Sequence, residues 1–209
     1  QEASGVIRTG GLVVYPTETA YGLAADPFNP DAVQKVFSVK GRNDGKPLGL
    51  IAANRQQVED VVRIVPEAEP LLTYWPGPLS LVLPMNIPQD ERKKEGLRLT
   101  AAFGETLSIR ISGHPWARAL AEAVGHPIIA TSANRSGKGE VYDIQTFNPA
   151  PQGYGAGKMI DRSSQQHSTF PQPDLVIDAG TLPQEKPSTV VVFRDGKPVV
   201  VRQGPIEIF

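Results

Sequence analysis

Cysteine is absent from the chain, and histidine occurs only three times in 209 residues. The first absence excludes disulfides, thiolate metal sites and a thiol nucleophile. The histidines, His114, His126 and His167, are scattered, and two of them precede prolines. They read as turn residues rather than as ligands of a shared metal. No apolar run approaches the roughly 18 residues that span a membrane. No signal-peptide pattern follows Gln1. The expectation is a cytoplasmic protein without a membrane partner. Lysine and arginine total 21 against 22 acidic residues, a formal net charge of -1. A broad nucleic-acid surface normally shows as a basic excess, so any such contact is expected to be weak. A local cationic pocket for a small anion is not excluded.

These absences narrow the chemistry. With no cysteine, no evident histidine base and no close carboxylate pair, covalent and general-base mechanisms are short of candidates. Catalysis by positioning and charge stabilisation needs arginine, lysine, hydroxyls and Mg2+. Reactions at phosphorus match that supply.

What is present includes two near misses to a phosphate loop. "VKGRNDGKPL", residues 39–48, has three cations and ends in Lys-Pro-Leu. A P-loop requires four residues between its glycines, then Lys and a hydroxyl residue. Here Gly41 and Gly45 are separated by three residues, and Pro47 follows Lys46. "GYGAGKM", residues 153–159, also lacks the hydroxyl residue. Neither is a P-loop or a dinucleotide fingerprint.

The element pattern alternates. Residues 12–15 form an apolar run bounded by glycines and Pro16, which predicts a buried strand. "NPDAVQKVFSVKG" predicts a helix capped by Asn29, with Pro30 and Asp31 in its first turn and Gly41 just past its end. "LGLIAA" predicts a strand. "NRQQVEDVVRIV" predicts a helix capped by Asn54, with Val58, Val61, Val62 and Val65 inward. A short helix and a Pro-Gly-Pro turn precede a strand over residues 79–83. Further strands are expected in "TLSIRIS", "HPIIATSAN" and "DLVIDAG", and a helix in "HPWARALAEAVG". Asp195-Gly196 suits a type I′ turn between two β-branched runs. The expected fold is α/β, one domain over residues 1–209, with a mixed, partly open sheet and helices packed on it. Residues 143–173, rich in Pro, Gly, Gln and Ser, read as a long irregular loop, functional or disordered.

Polar groups recur where open α/β sheets place ligands, at strand ends. They are Thr17, Glu18 and Thr19; Lys40, Arg42 and Lys46; Thr106 and Arg110; Ser132 and Asn134; Ser188, Thr189 and Arg202. Each has a plainer reading. Arg110 alternates with Ile109 and Ile111 and so fits the solvent face of a strand. Lys40 fits a helix C-terminus. "TSAN" fits a turn or cap. Only their conjunction points to a site.

The stretches "GGLVVYPTETAYGLAADPFNPDAVQKVFSVKGR", "WPGPLSLVL", "PIIATSANRSG" and "STVVVFRDGKPVVVRQGPI" together resemble the YrdC/Sua5 family, over residues 10–206. The pairing of Lys40-x-Arg42 with Ser132-x-Asn134 matches that family's hallmark. The resemblance implies a YrdC-like twisted open sheet around a central cationic cavity. It also implies an L-threonylcarbamoyladenylate synthase activity, a nucleotidyl transfer. L-Threonine, bicarbonate and ATP with Mg2+ would give threonylcarbamoyl-AMP and pyrophosphate. A downstream transferase complex would then modify N6 of adenosine 37 in tRNAs reading ANN codons. Direct tRNA contact would be weak.

Carried over by position, the catalytic set would be Lys40, Arg42, Ser132 and Asn134. L-Threonine would meet Thr19, Arg110, Ser132 and Ser188. ATP would meet Arg42, Lys46, Thr106, Asn134 and Arg202. No protein ligand for the metal is identifiable. The chain departs from the family at Pro187, where a glutamate is common. It departs again at "SGKGEVY", where many members read "SGRPSPT", which bears on a nucleotide contact near Tyr142. Its ending soon after Arg202 resembles the short, single-domain type. Two other functions fit less well: a carbamoyl-adenylate-forming enzyme of the same fold, and an RNA-binding module.

Overall fold

The computed structural model describes residues 1–41, 47–86, 90–100, 105–134, 139–147 and 172–208. In chain order the elements are α1 (Glu2–Arg8), β1 (Val13–Pro16), β2 (Tyr21–Ala24), α2 (Pro30–Lys40), β3 (Gly49–Ala52) and α3 (Arg55–Val61). A 3-10 helix over Pro66–Tyr74 leads to β4 (Leu79–Pro84), α4 (Glu91–Thr100), β5 (Thr106–Ile111) and α5 (Pro115–Val124). Then come β6 (Ile128–Ile129), β7 (Thr131–Ser132), α6 (Ile144–Phe147), β8 (Leu175–Val176), β9 (Thr189–Arg194) and β10 (Lys197–Arg202).

The α/β class with open mixed sheets is as expected, but the strands form two sheets. One has the order β7-β2-β1-β8 and the other β10-β9-β4-β5-β3-β6. "HPIIATSAN" supplies a strand to each. β6 pairs with β3 in the larger sheet, and β7 pairs with β2 in the smaller. The chain crosses between sheets at Ala130, whose N–H bonds to Gly49 O. β2 itself is an addition to the expected elements. Residues 17–20 turn β1 back on itself, and Val13 pairs antiparallel with Ala24. α1 and α4 are likewise additions. The segment read as a loop from residue 143 begins with an Asp143–Thr181 bridge and α6. Residues 148–171 lie outside the described residues.

Local chemistry explains the elements that frame the site. Asn29 Oδ1 accepts the Asp31 and Ala32 N–H groups, donors a helix start otherwise leaves unpaired. Gly41 ends α2 in the left-handed region, at φ 56° and ψ 42°, a conformation cheap only for glycine. Asn54 caps α3, which ends at Val61, so the expected inward Val65 packs from beyond the helix. Asp195 and Gly196 both have positive φ, as a type I′ hairpin requires.

β1 is buried on both faces. Leu12 and Val14 join the large core, with Val33, Val36 and Phe37 of α2, Leu81 of β4 and Ile109 of β5. Val13 and Tyr15 join a second core with Ile7 of α1 and Ala117, Leu120 and Val124 of α5. Burying such side chains contributes about 1.5–3 kcal/mol each before entropy is counted. Among the described residues no helix is long and apolar enough to cross a membrane.

Candidate functional site

A cavity of about 520 Å³ opens between the two sheets. Its walls come from the β1–β2 turn, the end of α2, and the polar-facing positions of β4, β5, β9 and β10. The size is that of a small-molecule site.

The β1–β2 turn is organised by Thr17. Its hydroxyl donates to Ala20 O (2.6 Å) and accepts the N–H groups of Thr19 and Ala20, each at 3.2 Å. Thr17 Oγ1 also lies 3.1 Å from Thr19 Oγ1. Either hydroxyl can be the donor in that contact. Whichever way it runs, Thr19 Oγ1 keeps a lone pair, and Thr19 lines the cavity, where it can accept from an amine or hydroxyl.

Lys40 also lines the cavity. It is only 3% exposed. Its Nζ donates to Ser132 O (2.6 Å), Asn134 O (3.0 Å) and Asn134 Oδ1 (3.1 Å). Ser132 Oγ donates to the same Oδ1 at 2.7 Å, and Asn134 Nδ2 donates to Gly139 O at 3.0 Å. Lys40 thus does more than favour the end of its helix. It clamps the end of β7 and the residues after it, so "TSAN" is a strand end running into a turn rather than a helix cap.

Arg110 projects from β5 and is 8% exposed, so the solvent-face reading is corrected. Its Nε donates to Glu18 Oε1 at 3.1 Å. Glu18 Oε2 accepts from Ser112 Oγ. Burial pushes the Glu18 carboxyl up, but the Arg110 charge and the bond from Ser112 outweigh it and hold Glu18 below its ordinary value. Among the described residues neither Nη atom of Arg110 makes a hydrogen bond, and neither is buried without a partner. Arg110 lines the cavity, so these two donors are open to it. They form the parallel fork that suits a carboxylate.

Arg202 reaches the same cavity through a bulge. Val200 pairs with Val191, yet the next pair is Arg202 with Val190, leaving Val201 as an extra residue. Val191 faces the large core and Val190 lines the cavity. Regular alternation would turn Arg202 to the core face; the bulge puts it on the cavity face. Its Nε donates to Ser188 O and its Nη2 to Ser188 Oγ, both at 2.9 Å. Burial first, then the like charge of Arg110, pushes the Arg202 pKa down, with Glu140 opposing. Two neighbouring guanidiniums, the buried one of Arg110 and the more exposed one of Arg202, make a wall suited to anions.

Ser188 Oγ lies 2.9 Å from Ser80 Oγ. The two hydroxyls share one bond and carry two protons, so one proton remains for a ligand, since Arg202 can only donate. Both serines line the cavity.

Of the residues proposed from sequence, Thr19, Lys40, Arg110, Ser132, Asn134, Ser188 and Arg202 meet at this cavity. Thr106 starts β5 opposite Pro84 and is not among the lining residues. It stands four residues from Arg110, roughly 13 Å along an extended strand. Arg42 and Lys46 lie outside the described residues. Sequence reasoning missed Ser80, Ser108 and Glu140, which also line the cavity. Glu140 falls within "SGKGEVY", the stretch already noted as divergent. The described lining carries Lys40, Arg110 and Arg202 against the single carboxylate of Glu140. No group of three His, Asp or Glu among the described residues could hold a metal ion.

The family profile Sua5/YciO/YrdC, described as "Telomere recombination", matches residues 5–154. A Bacillus subtilis protein named threonylcarbamoyl-AMP synthase is 35% identical over 98% of this chain and 53% of its own length. The crystal structure of P. abyssi Sua5 complexed with L-threonine superposes with a TM-score of 0.74 at 33% identity, covering 97% of this chain and 53% of the other. E. coli YciO superposes at 0.75 with 25% identity, covering 99% and 89%. The chain therefore spans about half the length of the first two relatives. The cavity residues Lys40, Ser132 and Asn134 fall within the matched span, and on that match the chain belongs to the Sua5/YciO/YrdC family.

Proposed function

We propose that the chain carries L-threonylcarbamoyladenylate synthase activity, with L-threonine, bicarbonate and ATP as substrates. The observation that carries this reading is the meeting, in one cavity, of an open guanidinium fork with a second cationic wall. Arg110 offers two donors to a carboxylate, and Thr19 offers an acceptor to an amine or hydroxyl. An amino acid needs both. Arg202 and the Lys40-clamped loop supply charge and donors for the remaining anions. Two relatives support the reading by name: the B. subtilis synthase, and the P. abyssi Sua5 that was crystallised with L-threonine.

The chemistry matches the side chains present. The threonine nitrogen bonds to the carbon of bicarbonate, and water leaves, giving a carbamate. A carbamate oxygen then bonds to the α-phosphorus of ATP, and the bond from that phosphorus to the pyrophosphate oxygen breaks. Negative charge gathers on the departing pyrophosphate. Arg202, with Arg42 and Lys46 from the sequence reading, is assigned to that charge. Ser132 and Asn134 are assigned to the carbamate and the nucleotide. Mg2+ would enter bound to the ATP phosphates, as part of the substrate. The product is expected to pass to a tRNA threonylcarbamoyl-transferase partner acting on adenosine 37.

The test is incubation with ATP, bicarbonate and labelled threonine, followed by detection of threonylcarbamoyl-AMP and pyrophosphate. Product with carbamoyl phosphate in place of threonine and bicarbonate would instead indicate the carbamoyl-adenylate enzyme. Steeply salt-dependent tRNA retention without product would indicate an RNA-binding module.

A further inference from the structure

Within the turn that follows β1, Thr17 and Thr19 line the cavity and Glu18 does not. Its carboxylate crosses to β5 of the other sheet. One oxygen takes Arg110 Nε at 3.1 Å, and the other takes the Ser112 hydroxyl. The Glu18 and Arg110 side chains are 17% and 10% exposed, so solvent screens the pair weakly.

The anchor is itself held. Ser112 is fully buried, its Oγ accepts the His114 N–H (3.2 Å), and its carbonyl accepts Arg118 Nη1 at 2.6 Å. The start of α5 therefore fixes Ser112, Ser112 fixes Glu18, and Glu18 fixes Arg110. Among the described residues the other titratable groups that feel this pair are Tyr15 of β1, His114, and Arg202, which feels the like charge of Arg110. Neither the buried Tyr15 hydroxyl nor His114 Nδ1 has a hydrogen-bond partner among the described residues, so neither competes for the carboxylate.

The geometry of the pair is informative. A bridge that only stapled the two sheets would be strongest as a two-pronged contact engaging an Nη atom as well. Glu18 bonds only Nε and leaves both Nη donors open to the cavity. We infer that Glu18, backed by Ser112, is the positioning residue of the amino-acid half of the cavity. It holds Arg110 by the edge facing away from the ligand, aims the Nη fork inward, and ties that fork to the turn bearing Thr19. This rests on the reading above that Arg110 takes the threonine carboxylate.

The experiment compares Glu18→Gln and Ser112→Ala with the unaltered protein by calorimetric titration of L-threonine and, separately, of ATP. Glu18→Gln should raise the threonine Kd about tenfold, the loss of one charge-assisted hydrogen bond's orienting effect. Ser112→Ala, which keeps the ion pair, should raise it about threefold. The ATP Kd should stay within about twofold in both. In parallel, the Arg110 Nε–Hε resonance, assigned with Arg110→Lys, should exchange slowly with water in the unaltered protein and be lost to fast exchange in Glu18→Gln. An unchanged or tighter threonine Kd would overturn the inference, because a mere counter-charge, once removed, strengthens anion binding. Equal losses for threonine and ATP would also overturn it, by indicating general unfolding. If Glu18→Gln does not fold, Ser112→Ala decides alone. If the unaltered protein binds no threonine, the substrate reading fails, and the resonance still decides whether Glu18 holds Arg110.

Discussion

Replacing Lys40 by methionine keeps most of the side-chain volume and removes the ammonium. The structure sets the cost. Nζ makes three charge-assisted hydrogen bonds, to Ser132 O, Asn134 O and Asn134 Oδ1, from a side chain 3% exposed. Bonds of this type contribute about 1.5–3 kcal/mol each. They do not add fully, since Ser132 and Asn134 are half-buried and water can reach part of the loop once the clamp is gone. A net loss of about 2–4 kcal/mol is expected, and methionine recovers a little by apolar packing. In a domain of this size that lowers Tm by roughly 4–16 °C. Circular dichroism melts of wild type and Lys40→Met measure it directly. Pyrophosphate release with threonine, bicarbonate and ATP should fall further than stability does, because Ser132 and Asn134 lose their common tether. A Lys40→Met protein with an unchanged melting temperature would refute the clamp. Unchanged stability with lost activity would mean that Lys40 acts on the ligand and not on the loop.

Arg110→Lys should raise KM for threonine about tenfold or more, because an ammonium cannot reproduce the open two-pronged fork; an unchanged KM would refute the assignment. Gly204→Ala should destabilise by about 1–3 kcal/mol, read from urea melts. A Cβ there would strike Pro187 O, Ser188 C and Thr189 N, all backbone atoms beside the Ser188–Arg202 contact. Acidification should expose Glu18. Its carboxyl titrates below the ordinary 4.5, so its stabilising effect is complete above that value and is lost as pH falls through the folded-state pKa. Urea melts between pH 5 and 3 should therefore fall less steeply for Glu18→Gln than for wild type. Arg42→Ala should nearly abolish threonine- and bicarbonate-dependent pyrophosphate release; a fully active variant would sink the proposed phosphate role.

Elements whose signals are local were legible in the sequence. Asn29, Pro30 and Gly41 bound α2 because a helix carries its own capping chemistry within a few residues. Asp195-Gly196 marks its hairpin for the same reason. β2 was not legible. "YGLA" has no alternation, since all four residues are buried, and the hydroxyl that closes its hairpin, Thr17, is an ordinary polar residue on paper. α4 escaped because "ERKKEGLRLT" shows almost no apolar stripe, although Leu97 is fully buried. The split of "HPIIATSAN" between two sheets leaves no mark in a period-two pattern. Both halves pair as strands, and only their partners differ.

Much of the site was harder to read for one physical reason. A polar cavity between two sheets imposes the same alternation on a strand as bulk water does. On β5, Leu107, Ile109 and Ile111 enter the core while Ser108 and Arg110 line the cavity. On β4, Leu79, Leu81 and Leu83 enter the core while Ser80 and Val82 line it. From spacing alone these polar positions look solvated, so Arg110 fitted an exposed face and Ser80 and Ser108 drew no notice. Arg202 was worse placed, because a bulge that only the paired register reveals decides which face it takes. The lysine and the Ser-x-Asn motif lie more than ninety residues apart, and their hydrogen bonds are visible only in three dimensions. Sequence resemblance could name those residues together. The fold adds a reason they belong together: Lys40 is the post to which Ser132 and Asn134 are tied.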